Sequence, residues 1–409
     1  MSDTKHYVRI RQRTWMSSWL TVLLALLQIL SVTVLLAAIG IPAAAQLDDW
    51  SPDQAVVPSA HDMTQRLVAL SARLRTAAPA ERAGIERTLS EIATVRRDLL
   101  ETLVREEPET VLRSALSATD RARLPRAIRP AVESTVTEEG EFEVLIEDRV
   151  SGSVTHHTLR TDRGTRFSLH FAGRAPRLQT GTRVRVNGVQ VGQAIAVATD
   201  GSQNFQALSA VWPNTFGEQR TLVMLVNFQD NPAQPYTPDA ARQVVFTDSS
   251  DFDWENSYNQ TWLSGDVAGW YTIPLSSTVC DTTALSNYAN AAAAAAGFNL
   301  SAYSRYVYGF PANACGFWGL GSVGGNPSVA WINGNFVLRV MAHEMGHNFG
   351  LYHSHSLDCG TTVIGSNCTA NEYGDTVDIM GGQRPGTSPP IRRNSSAGWV
   401  TEPHRRSPQ

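Results

Sequence analysis

The string His343-Glu344-Met345-Gly346-His347-Asn348-Phe349-Gly350-Leu351-Tyr352-His353 restricts this chain more than any other part of it. Residues four apart share one face of an α-helix, so His343 and His347 can aim their imidazoles at a common point only if the segment is helical. Two ring nitrogens at that spacing suit Zn²⁺, and the adjacent Glu344 can reach water at the metal without binding the metal itself. Gly350 can take a positive φ, which ends the helix and swings the chain so that His353 supplies a third nitrogen. Three histidines leave one tetrahedral position open, the arrangement of a catalytic zinc site. With 10 histidines in 409 residues, five such fixed positions arise by chance in about one chain in ten thousand or fewer. His355 competes for the third place, but Gly350 sets the reach to His353.

The surrounding pattern is mixed α/β. A helix is expected over Phe336 to Phe349, with Val337, Val340, Met341 and Met345 facing a core. Leu222 to Phe228 is a continuous apolar run, as in a strand covered on both faces. Thr283 to Ala296 reads as a helix stopped by Gly297, and Arg305 to Phe310 and Ser328 to Ile332 read as further strands. All four cysteines, Cys280, Cys315, Cys359 and Cys368, lie in this region. Three connectivities are open, and proximity favours Cys280–Cys315 with Cys359–Cys368.

Upstream the chemistry changes twice. Lys5, Arg9, Arg11 and Arg13 precede an uncharged stretch whose apolar centre, Trp19 to Ile41, ends at Pro42-Ala43-Ala44-Ala45. That is the form of a secretory signal cleaved after Ala45, or of an uncleaved anchor that leaves the rest of the chain outside. From His61 to Leu124, Ile85, Leu89, Ile92, Leu99 and Leu103 recur near helical spacing between Pro79 and Pro108, with charged residues on a solvated face. Beyond the acidic patch Glu138 to Glu143, Phe142, Val144 and Ile146 alternate with polar residues, as do Phe167, Leu169 and Phe171. Asn187-Gly188 between Val184/Val186 and Val189/Val191 signals a two-residue hairpin. His156 and His157 fall in its loops, and Thr199 to Gln206 reads as a linker and processing site. The formal net charge of −4 gives no footprint for nucleic acid.

The zinc string resembles that of the metzincin zinc peptidases, and Glu372-Tyr373-Gly374-Asp375-Thr376-Val377-Asp378-Ile379-Met380-Gly381 is similar to their methionine turn, with Met380 as its structural residue. Asn256-Ser257-Tyr258, Gly265-Asp266-Val267, Gly269-Trp270-Tyr271 and Leu351-Tyr352-His353-Ser354 are similar to the gametolysin-like branch, peptidase family M11. The resemblance spans Arg220 to Gly382. It implies an α/β (α+β) metzincin-type zincin catalytic domain, preceded by a helical segment and a small β-barrel-like domain that act as propeptide. The expected organisation is a signal peptide or anchor at 1–45, a helical propeptide segment at 46–135, a small β-domain at 136–205 and the peptidase domain at 213–409. Many metzincins hold latency with a propeptide cysteine on the zinc; no cysteine precedes Cys280 here, so that device is absent. The stretch from Gly382 to Ser396, rich in Pro, Gly and Arg, lacks the periodicity of the family's closing helix.

The chain is thus expected to be a secreted zinc endopeptidase acting on extracellular or cell-wall polypeptides. Zn²⁺ on His343, His347 and His353 activates water, Glu344 acts as general base, and the substrate pairs along the strand Ser328 to Ile332. The rival is an exported, catalytically impaired protein that keeps zinc as a brace. Asp248, Asp251, Asp253 and Glu255 could gather Ca²⁺, although their spacing misses the usual loop. Gly319-Leu320-Gly321-Ser322-Val323-Gly324 matches a dinucleotide fingerprint in letters but leads into a strand, and reads as a flexible loop near the cleft.

Overall fold

A computed structural model describes residues 58–201, 203–211 and 214–382; the expected leader and the stretch beyond Gly382 lie outside them. Among the described residues no helix is long and apolar enough to cross a membrane.

Ser59 and Asp62 form a reciprocal capping box that starts α1 (Ala60–Thr76). Pro79 and Pro108, needing no N–H partner at a helix start, open α2 (Pro79–Glu106) and α3 (Pro108–Ser114); α4 (Ala118–Arg123) follows. The buried stripe of α2 is Ile85, Leu89, Ala93, Arg96, Leu100 and Val104. Arg96 corrects the expectation that charges here only face solvent. It is 1% exposed and reaches both oxygens of Glu133, with Nη2 2.8 Å from Oε1. It also donates to the Thr64 hydroxyl at 2.9 Å and to the Ser114 carbonyl at 2.7 Å.

Six strands follow: β1 (Ser134–Arg149), β2 (Gly152–Thr161), β3 (Arg166–Phe171), β4 (Thr182–Val191), β5 (Ala194–Val197) and β6 (Phe205–Ser209). Pairings run β1-β2-β3-β5-β4 and return to β1, so five strands close on themselves. Alternation puts Phe142, Val144 and Ile146 inside with Leu159, Leu169, Val184, Val186 and Ile195. Leu100, Val104 and Val111 of the helices cover Val189, Val191 and Ala194 on the outside. Asn187-Gly188 makes no hairpin. β4 runs straight through it, because Gly188 lies where a Cβ would overlap the Ala196 carbonyl of β5. The chain turns instead after Val191, where Gly192 has φ 58°. His156 and His157 lie on β2, not in loops, and the expected linker ends in β6, which pairs with β4.

The second half begins with β7 (Gly217–Phe228), α5 (Pro238–Gln243), α6 (Ser250–Asn256), β8 (Thr261–Ile273) and α7 (Thr282–Ala295). It continues with β9 (Arg305–Phe310), β10 (Phe317–Ser322), β11 (Ser328–Asn333) and α8 (Leu338–Asn348). β8, β7, β9 and β11 are parallel in that spatial order, and the antiparallel β10 follows and joins them to β1 in one continuous sheet. Both faces of β7 are covered, as its unbroken apolar run requires. Leu222, Met224 and Val226 meet Leu285, Ala289 and Ala293 of α7; Val223 and Leu225 meet Val340, Met341 and Met345 of α8. Val337, expected in the core, is 39% exposed because it precedes the first helical turn, and Phe336 is buried in its place. β12 (His355–Asp358) and β13 (Thr369–Glu372) form a small hairpin closed by Cys359–Cys368, while Cys280 pairs with Cys315.

Two expectations fail on topology. β11 is interior, between β10 and β9, so it offers no edge for a peptide. Its neighbour β10 is the last strand that the second half contributes, and its far side is taken by β1, which pairs antiparallel along it, Leu145 opposite Ser322 and Asp148 opposite Gly319. The glycine-rich string is then not a loop, since Gly319 and Gly321 lie within β10.

Candidate metal centre

α8 ends because Gly350 has φ 93°, a backbone that L side chains rarely adopt. Gly350 N–H donates to the His347 carbonyl at 2.7 Å and Leu351 N–H to the Gly346 carbonyl at 3.0 Å, the paired bonds of a Schellman stop. The reversal returns His353 to the face that carries His343 and His347. His343 and His347 are fully buried and His353 is 6% exposed.

Each ring is turned by a partner on Nδ1. His343 Nδ1 lies 2.8 Å from the Ile379 carbonyl, His347 Nδ1 2.8 Å from the Leu351 carbonyl, and His353 Nδ1 2.8 Å from Glu372 Oε1. These oxygens can only accept, so the proton sits on Nδ1 and each Nε2 keeps its lone pair free. All three Nε2 atoms are buried and have no hydrogen-bond partner. Burial, opposed by the neighbouring Asp148 carboxylate, pushes His343 down to about 4, which keeps the ring in the neutral form that binds a cation.

A fourth group joins them that sequence reasoning missed. Asp148, at the end of β1, places Oδ1 2.8 Å from His353 Nε2 and 3.5 Å from His343 Nε2, and Oδ2 3.4 Å from His347 Nε2. The four donor atoms lie within 4.8 Å of one another and could hold one metal ion. Donors around a tetrahedral Zn²⁺ at about 2.0–2.1 Å sit roughly 3.3 Å apart, which the distances from the Asp148 oxygens to the three unpaired Nε2 atoms bracket. The Tyr373 hydroxyl donates to Asp148 Oδ1, and its ring centroid lies 4.1 Å from that of His353. The one mark of Asp148 in the sequence is a charge two residues beyond the alternating apolar row Phe142, Val144, Ile146, and nothing there points to the histidines.

Glu344 is fully buried, and neither carboxylate oxygen has a hydrogen-bond partner. Burial, reinforced by the Asp148 carboxylate, holds it well above the ordinary carboxylate range. Its space is supplied by β10. A Cβ on Gly319 would overlap the Glu344 carboxylate, and one on Gly321 would lie 2.8 Å from Glu344 Oε2. That explains the glycines better than a phosphate loop does. Met380 is 1% exposed and fills the space where a side chain on Gly346 would project. Its carbonyl accepts from Ser354 N–H at 3.0 Å, and it is not one of the four donors.

His355 stands apart, its Nδ1 2.8 Å from the His353 carbonyl on the exposed hairpin. Among the described residues the acidic group of Asp248, Asp251, Asp253 and Glu255 forms no cluster able to hold an ion. Burial raises Asp253 to about 8, against the opposing pull of Arg305.

A family profile described as Gametolysin peptidase M11 matches residues 243–405. No curated protein matches the chain. Among solved structures, one described as "Structure of a chaperone-substrate complex" aligns at 15% identity and a TM-score of 0.27, covering 55% of this chain and 37% of that one. The chain therefore spans little more than a third of that relative's length, and a likeness at that TM-score defines no common fold.

Proposed function

We propose that this chain, a member of the gametolysin M11 peptidase family through residues 243–405, is a secreted, metzincin-type zinc endopeptidase. In this reading His343, His347 and His353 hold the metal and Glu344 is the general base. The observation that carries the reading is the convergence of three buried Nε2 atoms without hydrogen-bond partners, each ring turned by an acceptor on Nδ1.

Zn²⁺, when bound, supplies Lewis acidity that polarises the scissile carbonyl and lowers the pKa of a water towards about 7. Glu344 takes the proton of the attacking water as the new C–O bond forms, and delivers it to the amine nitrogen as the C–N bond breaks. Its carboxylate suits both steps, being desolvated, unpaired and beside the glycines of β10. Once β1 leaves β10, an extended peptide can take its place as a further strand, with main-chain hydrogen bonds giving affinity and alternate side chains giving specificity. Met380 supports the helix from below through Gly346. A protein that used zinc only as a brace would have no role for an unpaired carboxylate at the centre, where it costs stability.

Export fits the two disulfides, which persist in oxidising compartments. The leader at 1–45, or its uncleaved form as an anchor, then serves delivery. Residues 46–135 and 136–205 serve as propeptide and 213–409 as peptidase. Chain cut once between Ser209 and Asn214 and supplied with zinc is expected to hydrolyse an unfolded polypeptide, to stop with a chelator and to recover with one equivalent of zinc. Cut, zinc-loaded protein that leaves the polypeptide intact contradicts the reading.

A further inference from the structure

We infer that Asp148 is the fourth metal ligand in the intact chain, so that the N-terminal barrel closes the catalytic centre from inside the substrate groove. The inference rests on the zinc reading above and names how that site is kept silent.

Alternation along β1 sends Phe142, Val144 and Ile146 into the barrel core and carries Asp148, two residues further on, out of that core to the histidines. The ladder between β1 and β10 shifts here, from Asp148 opposite Gly319 to Arg149 opposite Phe317. A bulge of this kind re-aims a side chain beside an active site. Asp148 is fully buried, and its Oδ2 has no hydrogen-bond partner, like the three Nε2 atoms it faces. A buried carboxylate needs a cation or donors to offset its desolvation. Tyr373 supplies one donor to Oδ1, and a metal shared with the histidines satisfies the rest.

Two further contacts make this a docked arrangement. Ser153 of β2 donates to Glu372 Oε1 at 2.7 Å, the same oxygen that orients His353. β1 lies antiparallel along β10, taking up the hydrogen-bonding edge that a substrate strand would use. The barrel thus holds the open coordination position and the peptide groove together. This explains how a chain with no cysteine before Cys280 can be latent.

The tether is short. Ser209 of β6 still pairs with Arg183 of the barrel, whereas the Asn214 and Thr215 carbonyls accept from Arg305 and Thr261 of the peptidase half. A cut between residues 209 and 214 converts an intramolecular ligand at high effective concentration into a dissociable one.

The test uses full-length chain loaded with Co²⁺ and a small hydroxamate that binds an open metal position, followed by the visible absorption of the cobalt. Uncut wild type is expected to bind the hydroxamate about a hundredfold more weakly than cut wild type, as for a binding-competent state populated near 1%. Asp148→Ala, uncut, is expected to bind like the cut chain and to show a changed cobalt spectrum. Asp148→Asn, which keeps the shape and hydrogen-bonding capacity, guards against loss of fold and is expected to bind more tightly than uncut wild type. Uncut wild type that takes hydroxamate as readily as both variants, with an unchanged spectrum, overturns the inference while leaving the zinc reading standing. Chains that take up no Co²⁺ in any form overturn both.

Discussion

Glu344→Gln is expected to retain the metal and lose hydrolysis by about 10²–10⁴-fold, the range contributed by a positioned acid–base group. The side chains are nearly isosteric, so the pocket opposite Gly319 and Gly321 remains filled. The histidines are oriented by Ile379, Leu351 and Glu372 and not by Glu344. Glutamine cannot accept the water proton and pass it on, so turnover falls while metal content holds. Metal content and peptide turnover measured on the same cut protein check this. Loss of metal in step with activity would show that Glu344 supports the site and does not perform the proton transfer.

The largest expected effect on stability lies in the helical segment and its junction with β1, at Arg96 and Glu133. Both side chains are 1% exposed, and Glu133 Oε1 also accepts from Leu116 N–H at 2.7 Å. Removing one partner of a buried, hydrogen-bonded ion pair leaves an uncompensated charge and costs about 3–5 kcal/mol. Glu133→Ala should therefore lower amide-exchange protection in α2 by about two to four orders of magnitude. Burial opposes ionisation of Glu133, but the bonds from Arg96 outweigh it and hold the group below its ordinary value of 4.5. A depressed carboxylate contributes stability that is present above its unfolded pKa and lost as pH falls through the folded value. Wild type should then lose α2 protection as pH drops below 4.5, and Glu133→Gln should lack that component. Protection unchanged in Glu133→Ala would show that α1, α3 and the barrel hold α2 without the pair. Because Leu100 and Val104 of α2 cover the barrel that carries Asp148, loosening α2 should also ease access to the metal.

What the sequence made legible here was local. His343 and His347 needed only helical spacing, Gly350 only its positive φ, and Leu222 to Phe228 only an unbroken apolar run to announce a strand buried on both faces. The adjacent cysteines paired as proximity suggested. Long-range geometry was hidden. Asp148 reaches the histidines through the barrel and an inter-strand bulge, and no spacing rule connects residues so far apart in the chain. Asn187-Gly188 carries a strong hairpin signal, yet barrel closure needed glycine there for close approach to Ala196 and kept the strand straight. Gly319 and Gly321 mimicked a phosphate loop because both uses call for absent side chains. Arg96 passed for a surface charge because its partner Glu133 lies beyond two intervening helices.

One metal ion is expected among His343, His347 and His353, and zinc-edge X-ray absorption on full-length protein detects it. Full-length protein should carry one zinc per chain with three imidazole nitrogens at about 2.0–2.1 Å and an oxygen donor. The imidazole signature should weaken in His347→Ala. A chain that binds no zinc, or whose zinc signature is indifferent to His347→Ala, would contradict that expectation.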